Sequence, residues 1–257
     1  MNPRMARPKQ PIEVVAHRGA SWDRPENTLS AFAGAVQQGC DAIELDVQLS
    51  RDGVPVVYHD RTLVRAGGGR RRVAALDVRE LRTLDAGYRL EDTRRRHRIP
   101  YLTEVLDRYA DSVPLLIEVK LRDTPERLRT LATSVVDQLK GRRVARRPRL
   151  LCFDPNVLAD VRPRSGDVEA ILNVRAVDAR VRGLRRWFDT VDGISVNVRG
   201  VTPRLGDAIA AANLPLLVFT CNTAHRVRRA VAAGAATIMS DRPGWLRQQL
   251  VNDGSSR

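Results

Sequence analysis

Charged side chains interrupt two short apolar runs that otherwise have the composition of buried strands. Glu44 and Asp46 lie two residues apart in the first run, and Glu118 and Lys120 lie two apart in the second. Because side chains alternate along a strand, each pair points to one face. Three carboxylates without a nearby thiol are hard oxygen ligands suited to Mg²⁺ or Ca²⁺. The pattern predicts Glu44, Asp46 and Glu118 as ligands of a divalent cation.

Positive and titratable side chains accompany these carboxylates. An earlier apolar run ends at His17-Arg18, so Arg18 and Lys120 would add positive charge beside the cation, as a phosphate oxygen requires. His17 and His59 offer a general base and a general acid, because the ordinary pKa of histidine is about 6.5. A metal, a phosphate clamp and two histidines together indicate phosphoester cleavage.

A predicted hairpin brings the second histidine to the others. Asp52-Gly53 is a strong signal for a two-residue turn, after which 55–59 would return antiparallel to the strand before it. With those two residues as the loop, His59 would lie directly opposite Asp46, on the face that carries Glu44. We expect all these side chains to meet in one pocket.

The rest of the chain alternates strand and helix. Eight β-branched runs recur along it, and most are followed by helix-compatible segments, several opening with proline. Those segments are Asn27–Gln38, Pro125–Lys140, Pro155–Val161, Val177–Phe188, Pro203–Ala212, Ala224–Ala233 and Pro243–Leu250. Eight such units in 257 residues predict an α/β fold, a (β/α)8 TIM barrel with charged strand ends at its carboxyl face.

A doubly wound open sheet is the alternative fold. It would favour a glycine-rich turn after the first strand, and His17-Arg18-Gly19-Ala20 is not one. We expect one domain spanning 1–257 with a small insertion after strand two, at about 61–98, that contains a short helix at Leu76–Leu84. About 38 residues rarely bury a core of their own.

An ordered series of motifs resembles the glycerophosphodiester phosphodiesterase family, of the phospholipase-C-like phosphodiesterase TIM-barrel superfamily. The motifs are His17-Arg18-Gly19, Pro25-Glu26-Asn27-Thr28-Leu29, Glu44-x-Asp46, Asp52-Gly53-x-Pro55-Val56-Val57-x-His59-Asp60, Ile99-Pro100-x-Leu102 and Glu118-x-Lys120. Weaker similarities continue to Ser240-Asp241-x-Pro243, so the resemblance covers nearly the whole chain.

The resemblance implies a barrel with an inserted subdomain and a role for each candidate. Glu44, Asp46 and Glu118 would bind the metal, Arg18 and Lys120 would contact phosphate, and His17 and His59 would be the acid and base in an order left open. It implies attack of the glycerol 2-hydroxyl on phosphorus, loss of the alcohol, and hydrolysis of the cyclic phosphate to glycerol 3-phosphate. Glu26 and Asn27 open the first helix and are expected to contact the site residues rather than the substrate, with helix capping and loop packing as the alternative.

Three positions depart from the family pattern. The chain has Cys152-Phe153 for Ser-Phe, Phe219 for tryptophan, and Ser240-Asp241 for Thr-Asp. We expect these positions to line the wall that meets glycerol or the leaving alcohol, so substrate preference is left open. A phosphodiesterase acting on lysophospholipids or other lipid diesters is the alternative function.

The charge distribution raises a second class of function. The net charge is +14, and only three of the 44 basic residues are lysine. Arginine runs at 70–72, 94–98 and 142–149 would suit nucleic acid or an anionic membrane. Aromatic residues make up only 4%, which leaves few platforms for base stacking. We expect a small-molecule partner, leave weak membrane contact open, and expect no specific nucleic acid; a non-enzymatic nucleic-acid-binding protein is the remote alternative.

Cysteine usage and the amino terminus bear on location. Three widely spaced cysteines do not form a disulfide framework, and Met1–Gln10 lacks the apolar run of a secretory signal. These features favour a reduced, cytoplasmic protein. The sequence does not predict the oligomeric state.

Overall fold

Eight parallel strands close into a barrel in the computed structural model, which describes residues 11–87, 96–120, 122–252 and 254. The strands are β1 Glu13–His17, β2 Ala42–Leu49, β3 Pro55–Val57, β4 Leu115–Val119, β5 Arg149–Cys152, β6 Glu169–Val174, β7 Gly193–Asn197, β8 Leu216–Phe219 and β9 Thr237–Ser240. β1 pairs in parallel with both β2 and β9, which closes the ring, while β3 is antiparallel to β2. The predicted barrel is confirmed and the open-sheet alternative is wrong.

Helices follow the strands and form the outer layer. They are α1 Leu29–Gln37, α2 Val78–Leu81, α3 Leu102–Tyr109, α4 Pro125–Leu139, α5 Pro155–Val161, α6 Val181–Leu184, α7 Pro203–Ala211, α8 Ala224–Ala232 and α9 Pro243–Asn252. Thr28, Thr124, Thr202 and Thr223 cap four of them by accepting a backbone N–H.

Two helical segments differ from expectation. The segment Val177–Phe188 is not one helix: α6 has four residues and continues as a 3₁₀ helix over Arg185–Thr190. Helix α3 was not predicted, although Leu102, Val105, Leu106 and Tyr109 give it one buried face.

The lumen of the barrel is filled in layers. An apolar middle layer is formed by Val15, Ala42, Leu116, Leu151, Ile171, Leu217 and Met239. Because side chains alternate, the residues two positions further on lie at the carboxyl face of the barrel, and these are polar except for Phe153 and Phe219. The candidate site therefore lies on an apolar floor.

The hairpin between β2 and β3 has a register one residue away from the predicted one. Val47 pairs with Val57, and the Ser50 N–H donates to Val54 O at 3.0 Å, so the loop is the three residues 51–53. Gly53 adopts φ 81°, as the last residue of such a loop requires. Tyr58, not His59, donates its N–H to Asp46 O at 3.0 Å. The prediction that His59 lies directly opposite Asp46 is wrong.

The segment between β3 and α3 forms a small apolar cluster of its own. Its buried members are Val56, Tyr58, Leu63, Ala66, Val73, Leu76, Val78, Leu81 and Ile99. The predicted helix at Leu76–Leu84 is shorter, because α2 spans only four residues. Two hydrogen bonds from Arg82 to Glu104, at 2.6 and 2.8 Å, join the segment to α3. Part of the arginine run at 94–98 lies outside the described residues, as does Met1–Gln10. The single-domain division stays a prediction.

No helix within the described ranges is long and apolar enough to cross a membrane.

Candidate active site

Asp46 lies at the centre of the predicted site, fully buried on β2. Its Oδ2 accepts a hydrogen bond from Asn27 Nδ2 at 2.8 Å, and Arg18 Nε lies 3.0 Å from the same oxygen. Lys120 Nζ lies 3.2 Å from Oδ1. Burial would raise the pKa of Asp46, but Arg18 and Lys120 outweigh it and hold that pKa well below its ordinary value. Asp46 is therefore ionised.

Glu44 and Glu118 complete a cluster with Asp46 in which one oxygen of each lies within 4.8 Å of the others. Burial and the two neighbouring carboxylates raise the pKa of Glu44 well above its ordinary value. Carboxylates this close repel one another unless positive charge lies between them. The cluster therefore favours a cation.

Two oxygens of this cluster fit a divalent cation. Asp46 Oδ1 and Glu118 Oε1 are buried and accept no hydrogen bond from the described residues. Lys120 Nζ lies 2.6 Å from Glu118 Oε1, but outside the geometry of a hydrogen bond. Buried carboxylate oxygens with free lone pairs are what Mg²⁺ and Ca²⁺ use as ligands.

Two residues in the left-handed region carry side chains into the site. Arg18 has φ 58° and Asn27 has φ 59°, and the Asn27 N–H donates to Arg18 O at 3.0 Å. Non-glycine residues rarely adopt this conformation, and such strain concentrates at functional sites. Gly19 follows with φ 82°, where a Cβ would lie 2.6 Å from the Ala31 backbone. The motif thus holds the loop after β1 against α1 and aims Arg18 at Asp46.

His17 is oriented by a carboxylate from the opposite end of the chain. Its Nδ1 lies 2.6 Å from Asp241 Oδ1, and its Nε2 lies 4.0 Å from Glu44. Asn222 donates to the other Asp241 oxygen at 2.5 Å. Burial would raise the pKa of Asp241, but the bonds from His17 and Asn222 hold it below its ordinary value. An ionised Asp241 keeps the proton of His17 on Nδ1 and leaves Nε2 toward the cavity.

His59 has a similar arrangement on the other side. Its Nδ1 lies 2.8 Å from Asp60 Oδ1, and Arg65 Nε donates to the other oxygen of Asp60 at 2.6 Å. The bond with His59 and the charge of Arg65 lower the pKa of Asp60 to about 2, against burial, which raises it. Gln48 donates to the backbone oxygens of Tyr58 and Asp60, at 2.7 and 2.9 Å, on either side of His59. These bonds bring His59 into the cavity despite the different register of the hairpin.

Glu26 and Asn27 contact other residues of the predicted site. Glu26 accepts hydrogen bonds from both Arg18 and Arg65. Asn27 bonds Asp46 twice, through its Nδ2 and through Oδ1, which accepts from the Asp46 N–H at 3.1 Å. Asn27 precedes α1, whose N-cap is Thr28, so its contact is with the carboxylate and the capping alternative does not apply to it.

One cavity of about 350 Å³ at the carboxyl face of the barrel is lined by six of the predicted residues: His17, Arg18, Glu44, His59, Glu118 and Lys120. The same cavity is also lined by polar residues that the sequence analysis did not include: Arg122, Asn173, Arg175, Asn197 and Thr220. Asn173 and Arg175 alternate at the end of β6 in the same way as Glu44 and Asp46 on β2. That alternation was the available signal.

The departing positions do not all line the substrate wall. Phe153 and Phe219 line the cavity and pack edge to face, with ring centroids 6.2 Å apart. Cys152 instead packs in the core, where burial raises the pKa of its thiol to about 12. Ser240 donates to Asn222, and Asp241 bonds His17. For Cys152, Ser240 and Asp241, the expectation of contact with glycerol or the leaving alcohol is therefore wrong.

Comparison with known proteins points to one family. Residues 17–245 match the glycerophosphoryl diester phosphodiesterase family. A glycerophosphodiester phosphodiesterase of Caldanaerobacter subterraneus subsp. tengcongensis is 28% identical over 91% of this chain and 95% of its own length.

Solved structures agree with this assignment. An Oleispira antarctica phosphodiesterase in complex with the product sn-glycerol-3-phosphate superposes with a TM-score of 0.81 at 26% identity, over 94% of this chain and 97% of that one. A glycerophosphodiester phosphodiesterase from Agrobacterium tumefaciens superposes with a TM-score of 0.71 at 26% identity, over 92% of this chain and 99% of that one. The match covers the full set of motifs and the enzyme class that they predicted is confirmed: this chain belongs to the glycerophosphoryl diester phosphodiesterase family.

Proposed function

We propose that this enzyme hydrolyses glycerophosphodiesters to sn-glycerol 3-phosphate and an alcohol, with a divalent cation and two histidines as acid and base. The observation that carries the proposal is the cavity in which a carboxylate cluster, the positively charged side chains of Arg18 and Lys120, and both histidines meet. The complex of the Oleispira relative with sn-glycerol-3-phosphate supports the same product here.

Glu44, Asp46 and Glu118 are the residues that would hold Mg²⁺ or Ca²⁺. When bound, the cation supplies Lewis-acid stabilisation of charge on the phosphoryl oxygens. Arg18 and Lys120 bind the same phosphate from the protein side. Burial would lower the pKa of Lys120, but Asp46 and Glu118 raise it, so its ammonium stays charged. Fixed charges in a buried site cost no reorganisation as the reaction proceeds.

The two histidines move the protons. One Nε2 takes the proton of the glycerol 2-hydroxyl as its oxygen attacks phosphorus, and the other gives a proton to the departing alcohol oxygen as the P–O bond breaks. Water then opens the cyclic phosphate with the two roles reversed, giving glycerol 3-phosphate. Asp241 and Asp60 hold the Nδ1 side of each ring, so each Nε2 can exchange a proton at the reacting centre.

The direct test is release of glycerol 3-phosphate from glycerophosphoethanolamine with Mg²⁺, with Ca²⁺ and with a chelator. We expect release that requires the cation. The variant His59→Ala should lower kcat about 10²–10⁴-fold, the usual contribution of one acid–base group, and should keep the affinity for the cation.

The matched control is His225→Ala, because His225 is exposed on α8 and away from the cavity. Release in chelator at the full rate would contradict the role of the metal, and a loss below tenfold in His59→Ala would remove His59 from the catalytic pair. Absence of release under every condition would contradict the proposed substrate, and lysophospholipids would be assayed next.

A further inference from the structure

A second cavity, of about 760 Å³, adjoins the catalytic one over β5 and β6. Phe153, Asn173 and Arg175 line both, so the two form one continuous groove. A diester whose phosphorus lies between the histidines has two arms, and only one of them can be glycerol. The groove offers the other arm, the alcohol, a defined path along α6.

The walls of this second cavity carry strong positive charge. Four arginines line it, Arg175, Arg180, Arg182 and Arg186, against a single acidic residue, Asp178. Within the described ranges none of the four has a carboxylate within ion-pair distance, whereas nearby Arg162 pairs with Asp192 at 3.1 Å. Arginines that lack a carboxylate partner are available to a ligand anion, which they can bind with two parallel hydrogen bonds.

The aromatic rings of the groove disfavour a cationic alcohol. The Arg175 guanidinium lies over the ring of Phe153, 5.4 Å from its centroid, and Arg186 lies 5.1 Å from that of Trp187. A quaternary ammonium is bound through the faces of aromatic rings, and these faces already carry a cation. Stacking also limits the motion of both guanidinium groups, which favours binding of an anion.

An unpartnered amide lies where the two cavities join. Asn173 is 3% exposed, and its Oδ1 has no hydrogen-bond partner among the described residues; the same holds for Oγ of Ser195, its neighbour on β7. A buried polar atom without a partner costs about 1–3 kcal/mol, which a ligand hydroxyl could recover. Asn173 is thus placed to bind the portion of the diester that crosses from one cavity to the other.

We propose that the cavity along α6 is a subsite for an alcohol that carries a second anionic group, a phosphate or a carboxylate. This inference rests on the proposed diesterase function and names the class of substrate. Arg182 and Arg186 would contact the anion, and Asn173 would bond a hydroxyl near the scissile phosphate. Alcohols bearing a quaternary ammonium are poor substrates in this assignment.

The test compares kcat/KM for four diesters of glycerol phosphate that differ only in the alcohol. Bis(glycerophospho)glycerol carries a second phosphate, glycerophosphoglycolate a carboxylate, glycerophosphoglycerol no charge, and glycerophosphocholine a cation. We expect kcat/KM for the first two diesters to exceed that for glycerophosphocholine by about tenfold. Each exposed ion pair contributes a modest free energy, and several together give a ratio of this size. Comparing the first two separates phosphate from carboxylate recognition.

In the double variant R182Q/R186Q, the ratio of kcat/KM for an anionic diester to kcat/KM for the neutral diester should be close to one. The control is R143Q/R146Q, which removes the same charge from the loop before β5, at the other end of the barrel. If the control lowers the ratio equally, net charge and not the groove is responsible, and the inference is overturned. Turnover of glycerophosphocholine equal to that of the anionic diesters also overturns it while leaving the proposed function intact. No turnover of any diester overturns both.

Discussion

Two carboxylates that lie two residues apart on β2 have opposite electrostatic surroundings. Asp46 lies between Arg18 and Lys120, and these cations hold its pKa well below the ordinary value despite burial. Glu44 is equally buried, but for Glu44 the effects of burial and of the neighbouring carboxylates of Asp46 and Glu118 outweigh the positive charges. Together they raise its pKa. Ionised Asp46 therefore stabilises the fold, whereas ionised Glu44 opposes it unless a cation lies between the carboxylates.

The two amide variants should thus change stability in opposite directions. In chelator at pH 7, Asp46→Asn should lower the free energy of unfolding by about 3 kcal/mol, because it removes the buried carboxylate that Arg18 and Lys120 share. Glu44→Gln should raise it by about 1 kcal/mol, because a carboxyl whose folded pKa exceeds its unfolded pKa destabilises the fold at higher pH. Urea unfolding measures both, and both variants should lose turnover.

The control for these variants is Asp111→Asn, an exposed carboxylate on the loop before β4, which should change little. As pH falls through the depressed pKa of Asp46, its contribution is lost and the Asp46→Asn variant should approach the parent protein. Equal destabilisation by Asp46→Asn and Glu44→Gln would contradict the assignment of charge within the cluster.

At the scale of elements, an ion pair closes the lumen at the end opposite the active site. Glu13 of β1 accepts two hydrogen bonds from Arg149 of β5, each at 2.6 Å, and a third from Thr237 of β9 at 2.8 Å. Burial would raise the pKa of Glu13, but Arg149 and Thr237 outweigh it and lower that pKa. Three strands are thus joined across the barrel below the apolar layer.

Breaking this pair should destabilise the barrel without altering the site. Glu13→Gln should lower the free energy of unfolding by about 3 kcal/mol at pH 7, because the largely shielded guanidinium of Arg149 loses its carboxylate partner. Because the pKa of Glu13 is lower in the folded than in the unfolded protein, its carboxylate stabilises the fold at pH values above the unfolded pKa. The stability lost in Glu13→Gln should therefore become smaller as the pH falls below about 4. Urea unfolding at several pH values measures this, and kcat should be unchanged.

The exposed pair of Lys140 and Asp137 provides the comparison for Glu13, since both side chains are half exposed. Asp137→Asn should cost less than about 1 kcal/mol, as exposed pairs do. A similar cost for the two variants would show that the barrel floor gains nothing from burial of its ion pair.

On the scale of the whole molecule, a net charge of +14 surrounds a cavity whose deepest residues are acidic. The outer positive field attracts anionic substrates, and the inner carboxylates attract a small cation. Under the proposed function, the free energy of cation binding would add to that of folding, because the unfolded chain does not assemble the ligand set.

Thermal unfolding should therefore respond to divalent cations. At a concentration one hundred times Kd, Mg²⁺ or Ca²⁺ should add about 2.7 kcal/mol, which for a chain of this size raises Tm by about 5–10 °C. Titrating each ion in differential scanning fluorimetry would also rank the two. The shift should vanish in Glu44→Gln; its persistence there, or its absence in the parent protein, would place the metal elsewhere or exclude it.

Local patterns were enough to predict the barrel and the shared face of the charged residues on β2 and at the end of β4. Alternation within 42–47 and 116–120 is set by strand geometry, so the charges had to share a face wherever the strands packed. Eight repeats of strand and helix left few ways to close the sheet, and closure at the carboxyl face brought those charges together. These properties depend on neighbours in the chain, which is why they can be predicted without coordinates.

Contacts between distant segments were decided only by the tertiary structure. Asp241 reaches His17 across 224 positions of sequence, and no local pattern indicates that pairing. The hairpin register depended on whether Arg51 joined the loop, and Gly53 in the left-handed region with the Ser50–Val54 pairing settled it. The arginine groove arises because the chain after β6 folds back along α6 beside Phe153. Sequence periodicity specifies which face a side chain occupies, whereas its partner depends on how the closed barrel packs.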